Sequence, residues 1–422
     1  MEIGLDRRVL ALALARMADS VGNSFLIVVL PLYVASHAVT GSAFGLSEAL
    51  ITGLILSMFG LLNSIGQPFT GRLSDRLGKR RVFVLVGLAI LAVTNAAYAF
   101  AGNYSGLLVI RAVQGIGVAF TIPATIALVN ELATTDTRGG NMGVFNTFRL
   151  VGFGSGPVVA GLVVESGPYL VGGFSITGFE AAFYVASLSA VVSFVLVTLL
   201  VSDPETTQAA AGDEVALAVT AGERGALLDP VFTLGVASLF MAIGIALLST
   251  IQPEVNARLD QSAAMFGVEF GAFILAQVLL QTPIGALSDR YGRKPFILAG
   301  LLLLVPATLA EGLVVAPWQM IVARFAQGVA GAAVFAPALA LAGDFAKRGQ
   351  SGTQLSVLTM AFGLGTALGP LSSGYLIRFG YVVPFAFGSV LAALGAVLVY
   401  TQVSEAPSRP PEEPAGAPAT TD

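Results

Sequence analysis

Gly66-Gln-Pro-Phe-Thr-Gly71-Arg72-Leu73-Ser74-Asp75-Arg76-Leu77-Gly78-Lys79-Arg80-Arg81 closes one long apolar run, and a second opens at Val82. Five of its last ten residues are Lys or Arg, so the segment belongs in water and not in hydrocarbon. Its glycines predict turns at Gly71 and Gly78. The pattern returns 214 residues later as Gln281-Thr-Pro283-Ile-Gly285-Ala-Leu287-Ser288-Asp289-Arg290-Tyr-Gly292-Arg293-Lys294, again between apolar runs. A charged turn that recurs once in each half points to a duplicated membrane protein.

The composition agrees. Of 422 residues 55% are hydrophobic and 11% charged, with a mean hydropathy of +0.84; soluble domains carry about 25% charged residues. A net charge of −4, spread thinly, argues against a nucleic-acid partner, which needs a clustered basic surface. The absence of Cys excludes disulfides and thiolate chemistry, and one His, His37, leaves no cluster for a metal or a triad. No Gly-rich Lys loop for nucleotide phosphates is present, and no cofactor is expected. Eighteen Arg against three Lys point to a prokaryotic source.

A transmembrane helix needs about 20 mostly apolar residues. Twelve runs meet this: 9–34, 46–70, 82–101, 106–131, 141–165, 179–202, 230–252, 266–286, 296–315, 317–343, 353–377 and 382–403. No stretch alternates as barrel strands do. With a cytoplasmic N-terminus, inside segments hold fifteen Lys or Arg and outside loops only Arg258 and Arg378, so the positive-inside rule puts both termini in the cytoplasm. The reading is an all-α membrane protein of two six-helix bundles, 1–202 and 230–403. A cytoplasmic linker at 203–229 and a disordered tail at 404–422 complete it.

The halves are copies in the same orientation. Arg111-x-x-Gln114-Gly115 matches Arg324-x-x-Gln327-Gly328, and Glu131 matches Asp344. Gly152-x-x-x-Gly156-Pro157-x-x-x-Gly161 matches Gly365-x-x-x-Gly369-Pro370-x-x-x-Gly374. All these pairs are 213 positions apart.

The repeated turn, Gly-x-Leu-x-Asp-Arg-x-Gly-Arg/Lys-Arg/Lys, resembles motif A of the major facilitator superfamily, and the resemblance covers 9–403. It implies alternating access, with a cytoplasmic latch built on Gly71, Asp75, Arg76, Gly78 and Arg80 and on Gly285, Asp289, Arg290 and Arg293. Glu131 and Asp344 are candidate partners. The plainer reading is that the basic residues anchor a turn, but the two aspartates do not serve that purpose. Arg111-x-x-Gln114 resembles motif B of proton-linked members; a snorkelling Arg111 is the alternative. The Gly152–Gly161 run is similar to motif C of exporters, with Ala160 where a second glycine is usual, and its small residues also suit plain helix packing.

Intramembrane charges carry the remaining expectations. Asp19, about 16 Å into the first span at 1.5 Å per residue, is the candidate proton carrier. Depth pairs it with Arg149, and the resemblance pairs it with Arg111. Glu269 has no acidic counterpart in the first half, and its depth matches that of Arg324, so an ion pair is expected there; both residues are counted with the proton-coupling set, and the carrier role passes to Glu269 if Asp19 does not hold it. Glu48, Glu165, Glu180 and Glu311 fall near outer span ends and receive no special role. The resemblance has spans 1, 4, 7 and 10 line the cavity, which nominates Asn23, Phe25, Gln114, Phe120, Phe240, Met241, Gln327 and Phe335 for substrate. Apolar and aromatic walls with a few amides suit a hydrophobic or amphipathic solute.

The expected protein is a monomeric secondary transporter in the cell membrane, exporting such solutes in exchange for protons. An importer or facilitator of a small metabolite is the alternative within that class. A sensor or scaffold without transport is the alternative outside it.

Overall fold

The computed structural model describes residues 7–36, 38–41, 44–132, 138–203, 219, 227–345 and 351–404. His37 and most of the expected linker and tail lie outside the described residues. The first half holds α1 (Arg7–Ala35), α2 (Glu48–Leu77), α3 (Arg80–Ala97), α4 (Tyr104–Leu132), α5 (Arg138–Glu165) and α6 (Gly178–Leu200). The second holds α7 (Pro230–Ala246), the short α8 (Gln252–Leu259), α9 (Ala263–Tyr291), α10 (Arg293–Leu313), α11 (Pro317–Phe345), α12 (Ser351–Leu376) and α13 (Val383–Gln402). Among the described residues eleven helices are long and apolar enough to cross a membrane.

The helix ends follow local chemistry. Ser47 and Ser262 cap α2 and α9 by accepting the backbone N–H three residues on. Thr177 and Glu180 close a capping box on α6, and Asp229 with Pro230 starts α7. One expectation fails at the repeated turn. Gly71 and Gly285 lie inside α2 and α9, and only Gly78 (φ +61°) and Gly292 (φ +97°) end those helices. The basic residues therefore begin on the last helical turns and not on a long loop.

Two small elements are also additions to the sequence reading. The segment after α7 forms α8, whose Val255 and Leu259 are buried. Between α5 and α6, strands β1 (Tyr169–Val171) and β2 (Phe174–Ile176) pair antiparallel across Gly172-Gly173, both at positive φ.

Within the first half the helices follow one another in space as α5, α1, α6, α3, α4 and α2. The second half repeats this order as α12, α7, α13, α10, α11 and α9. The halves meet along two equivalent seams, α5 against α9 and α2 against α12. Both are built on glycine: a Cβ at Gly161 would enter the backbone of Ala264, and one at Gly374 the backbone of Ala49.

Packing differs at the two ends of the molecule. Opposite the basic turns, Phe25, Val29, Ile51, Phe183, Ile251, Val255, Phe266 and Phe385 belong to one continuous core drawn from both halves. At the basic end each half keeps its own core, around Leu12, Phe83 and Leu128 in the first and around Leu234, Leu301 and Leu341 in the second. The molecule is sealed at one end and divided at the other.

Candidate functional site

The repeat places the same polar network inside each half. In the first, Arg111 Nη1 donates to Gln114 Oε1 at 2.5 Å, Gln114 Nε2 donates to Asn95 at 2.6 Å, and the Tyr98 hydroxyl donates to Gln114 Oε1 at 3.1 Å. In the second, Arg324 Nη1 donates to Gln327 Oε1, and Gln327 Nε2 donates to Thr308 at 3.1 Å. Asn95 and Thr308, Tyr98 and Glu311, Arg111 and Arg324, and Gln114 and Gln327 are each 213 positions apart. The cation-on-ring contact repeats too: Arg111 lies 4.6 Å from the Phe59 ring centre and Arg324 4.8 Å from that of Phe273.

The halves differ in charge. Arg111 has a phenol and an amide beside it. Arg324 has Glu311, whose Oε1 stands 3.6 Å from Nη1, and all three of Glu269, Glu311 and Arg324 are fully buried. No oxygen of Glu269 or Glu311 closes a hydrogen bond of normal geometry among the described residues. Over this group sit Tyr381, whose hydroxyl donates to the Glu311 backbone carbonyl at 3.4 Å, and Arg258, stacked 4.6 Å from the Tyr381 ring.

At the divided end a cleft of about 490 Å³ opens between α5 and α9. Asn146, Thr147, Leu150, Gln277, Gln281 and Thr282 line it, with Asp289 among its lining residues near the basic turns. Deeper, Leu150, Phe153, Phe270 and Phe273 pack together between the halves. Phe270 and Phe273 thus bear on that inter-half cluster while Arg324 rests on both of their rings.

The basic turns form a charge triad in each half. Arg80, itself buried, bonds Asp75 and stands 3.0 Å from Glu131. Arg293 bonds Asp344 and reaches Asp289 at 2.9 Å. Each triad ties three helix ends of one half together; Arg76 and Arg290 are exposed.

This duplicated scaffold matches the description of the Major Facilitator Superfamily over residues 12–253 and 234–421. The chain belongs to that superfamily. Among similar proteins are the quinolone resistance protein NorA of Staphylococcus aureus, 26% identical over 184 residues, and citrate exporter 1 of Aspergillus niger, 30% identical over 171. These alignments cover 44% and 40% of this chain, and only 42% of NorA and 30% of the citrate exporter. The crystal structure of a D-xylose–proton symporter is 17% identical with a TM-score of 0.75, covering 94% of this chain and 99% of that one. An inward-facing, occupied bacterial homologue of the lysosomal transporter Spinster gives 16% and 0.74, with 93% and 95% covered. Both likenesses establish the fold alone.

In this facilitator several residues singled out from sequence sit elsewhere than expected. Asp19 bonds neither Arg149 nor Arg111. Arg16, one turn earlier on the same helix, donates to it at 2.5 Å, and Asn23 donates at 3.2 Å. Arg149 is occupied by Asn146 at 3.0 Å. Depth along the membrane allowed the Arg149 pairing, but a residue three positions away on one helix is already in reach. Asp19 borders a cavity of about 10 Å³ with Leu12, Leu88, Thr121 and Thr125, roughly the room one water molecule needs.

The expected Glu269–Arg324 contact gives way to Glu311–Arg324, with Glu269 close enough to share the field of the same arginine. Glu311, which its place near an outer span end gave no special role, is the acid that meets Arg324. It lies two positions from the end of α10, and Tyr381 and Phe385 from the α12–α13 hairpin cover that end. The offset of 213, applied to Tyr98, would have found it.

Of the residues nominated for substrate, Phe25 and Met241 are packed in cores and Gln114 and Gln327 are locked in the two networks. Phe120 stacks on Phe83, and Phe335 meets Phe362 with its ring tilted by 53°; Asn23 and Phe240 are half-buried. Gly152 and Gly156 press α5 onto α1, and Gly365 and Gly369 press α12 onto α7. Pro157 and Pro370 instead meet Gly267 and Gly53 across the seams.

Proposed function

We propose that this facilitator is a twelve-span secondary transporter of the cell membrane, with both termini cytoplasmic, that exports amphipathic small molecules in exchange for protons. The observation that carries the reading is the asymmetry of its core: one shared core at one end, and a cleft between separate cores at the other. With the basic turns placed inside by charge, the cleft faces the cytoplasm, from which an exporter loads. Likeness to NorA supports efflux.

The walls speak to substrate. Among the described residues the cleft lining holds amides, hydroxyls, the aliphatic side chains of Leu150 and Val278, the acid Asp289, and no basic residue. A polyanion such as the substrate named for the citrate exporter would enter without a countercharge. Neutral or cationic amphipathic molecules fit better, with polar groups along Gln277 and Gln281 and apolar parts toward Phe153 and Phe270.

Asp75, Arg80 and Glu131, with Asp289, Arg293 and Asp344, act as the latch. In the cytoplasm-open state each set is satisfied within its own half, and closure of the cleft brings the two ends together. Asp19 with Arg16 is one site where a proton enters the cycle. Purified protein in liposomes, given a pH gradient and a panel of lipophilic cations, neutral dyes and organic anions, tests the reading. Gradient-driven movement of the cations or dyes supports it, and movement of anions alone, or of nothing, overturns it.

A further inference from the structure

We propose that Glu269 and Glu311 together hold one exchangeable proton, with Arg324 as their shared counter-ion, in the sealed half of the second bundle. The proposal deepens the proton-coupled reading above and rests on it only for what the proton drives.

Glu269, Glu311 and Arg324 are each 0% exposed. One guanidinium balances one carboxylate. A second ionised carboxylate in the same buried site would be uncompensated, and the desolvation of a buried ion disfavours it. Protonation of one acid restores neutrality. Among the described residues no carboxylate oxygen of either acid closes a hydrogen bond of normal geometry, nor do Nε and Nη2 of Arg324, which leaves the site able to reorganise.

The repeated scaffold does not itself require acids at these positions. The first half builds the same network with Tyr98 in place of Glu311 and Ile55 in place of Glu269, and packs both fully. The two acids are therefore particular to the second half.

Other charged and titratable groups around the site are few. Arg258 on α8 and Tyr381 before α13 lie above Glu311, and Glu254 on α8 adds negative field from that side. Gln261 stands beside Glu269; Gln327, Thr308 and the Ile245 carbonyl complete the surroundings of Arg324 as neutral dipoles. Phe270 and Phe273 join Arg324 to the cleft: they carry the guanidinium on one side and form the inter-half cluster on the other. A solute that displaces these rings changes which acid Arg324 favours, and so where the proton rests.

Infrared spectroscopy of the solubilised protein without substrate reads the site directly, through the carbonyl stretch of a buried protonated carboxyl. Wild type at neutral pH gives such a band. In Glu269→Gln and in Glu311→Gln the remaining acid pairs with Arg324 and the band disappears. In Arg324→Gln both acids are protonated and the band roughly doubles. Absence of the band in wild type overturns the proposal without any variant, and so does its survival at full height in both single variants. Liposome transport is scored separately. Loss of the band in the variants beside wild-type transport indifferent to a pH gradient keeps the proton site and rejects proton-coupled export. A band that behaves otherwise rejects the site whatever drives transport.

Discussion

Tyr98 and Glu311 occupy one position of the repeated scaffold, 213 residues apart, each beside the arginine–glutamine pair of its own half. The phenol completes a network around Arg111 that, among the described residues, holds no acid. The carboxylate turns the corresponding network around Arg324 into a buried ion cluster. Duplication supplied the frame, and the substitution at this position divides the labour between the halves.

The two arginines should therefore respond differently to the same change. Arg324→Met leaves the ionised member of the Glu269–Glu311 pair without its counter-ion, and removing one partner of a buried ion pair costs about 3–5 kcal/mol. Arg111→Met removes a buried cation that no carboxylate compensates, and should cost far less. Denaturation of both variants in detergent checks this, and equal losses would contradict the division.

The seams offer a second test. Gly161→Val sets a side chain against the Ala264 backbone, where Glu165 also accepts the Ala264 N–H at 2.8 Å. Overpacking of this kind costs about 1–3 kcal/mol, charged to the state in which the seam is closed. A cysteine introduced at Phe266, unique in this chain, should then react faster with a water-soluble maleimide. Unaltered labelling would show that the seam does not seal that end.

Asp19→Asn leaves the buried end of Arg16 without its carboxylate. Transport driven by a pH gradient should fall to background while exchange of labelled substrate persists. Arg149→Gln, which leaves the Arg16–Asp19 pair in place, should retain most gradient-driven activity. The reverse ranking would return Arg149 to the role that depth alone assigns it.

At the basic end, Asp75→Asn removes one of two acids on Arg80. Turnover should drop with little loss of folded protein, and single cysteines in the cleft should label more readily because the cytoplasm-open state gains population. Labelling and turnover both at wild-type levels would reduce the triad to an anchor.

The helices were legible from sequence because hydrocarbon imposes length: the run read at 106–131 is α4 at Tyr104–Leu132, and that at 230–252 holds α7 and the start of α8. The repeated motifs were legible because duplication preserved their spacing. Gly71 misled because a glycine inside a membrane helix is cheap where small residues favour close approach, so the helix continued to Leu77. Glu311 misled because its distance from the span end says nothing of the hairpin that covers it, contributed some 70 residues later by Tyr381 and Phe385. Asp19 had a partner one turn away, and an estimate of depth treats such a neighbour no differently from one on another helix. Periodicity finds elements; partners depend on which faces meet.

Alternating access is the central claim, and the distance across the cleft mouth measures it most directly. Thr147 on α5 and Thr282 on α9 both line the cleft and are exposed, and a chain without Cys allows spin labels at these two positions alone. Pulsed electron resonance in lipid should find a long-distance population matching the open cleft and a shorter one, with the balance moved by pH and by a transported solute. A single distance, unchanged by either, would contradict the account.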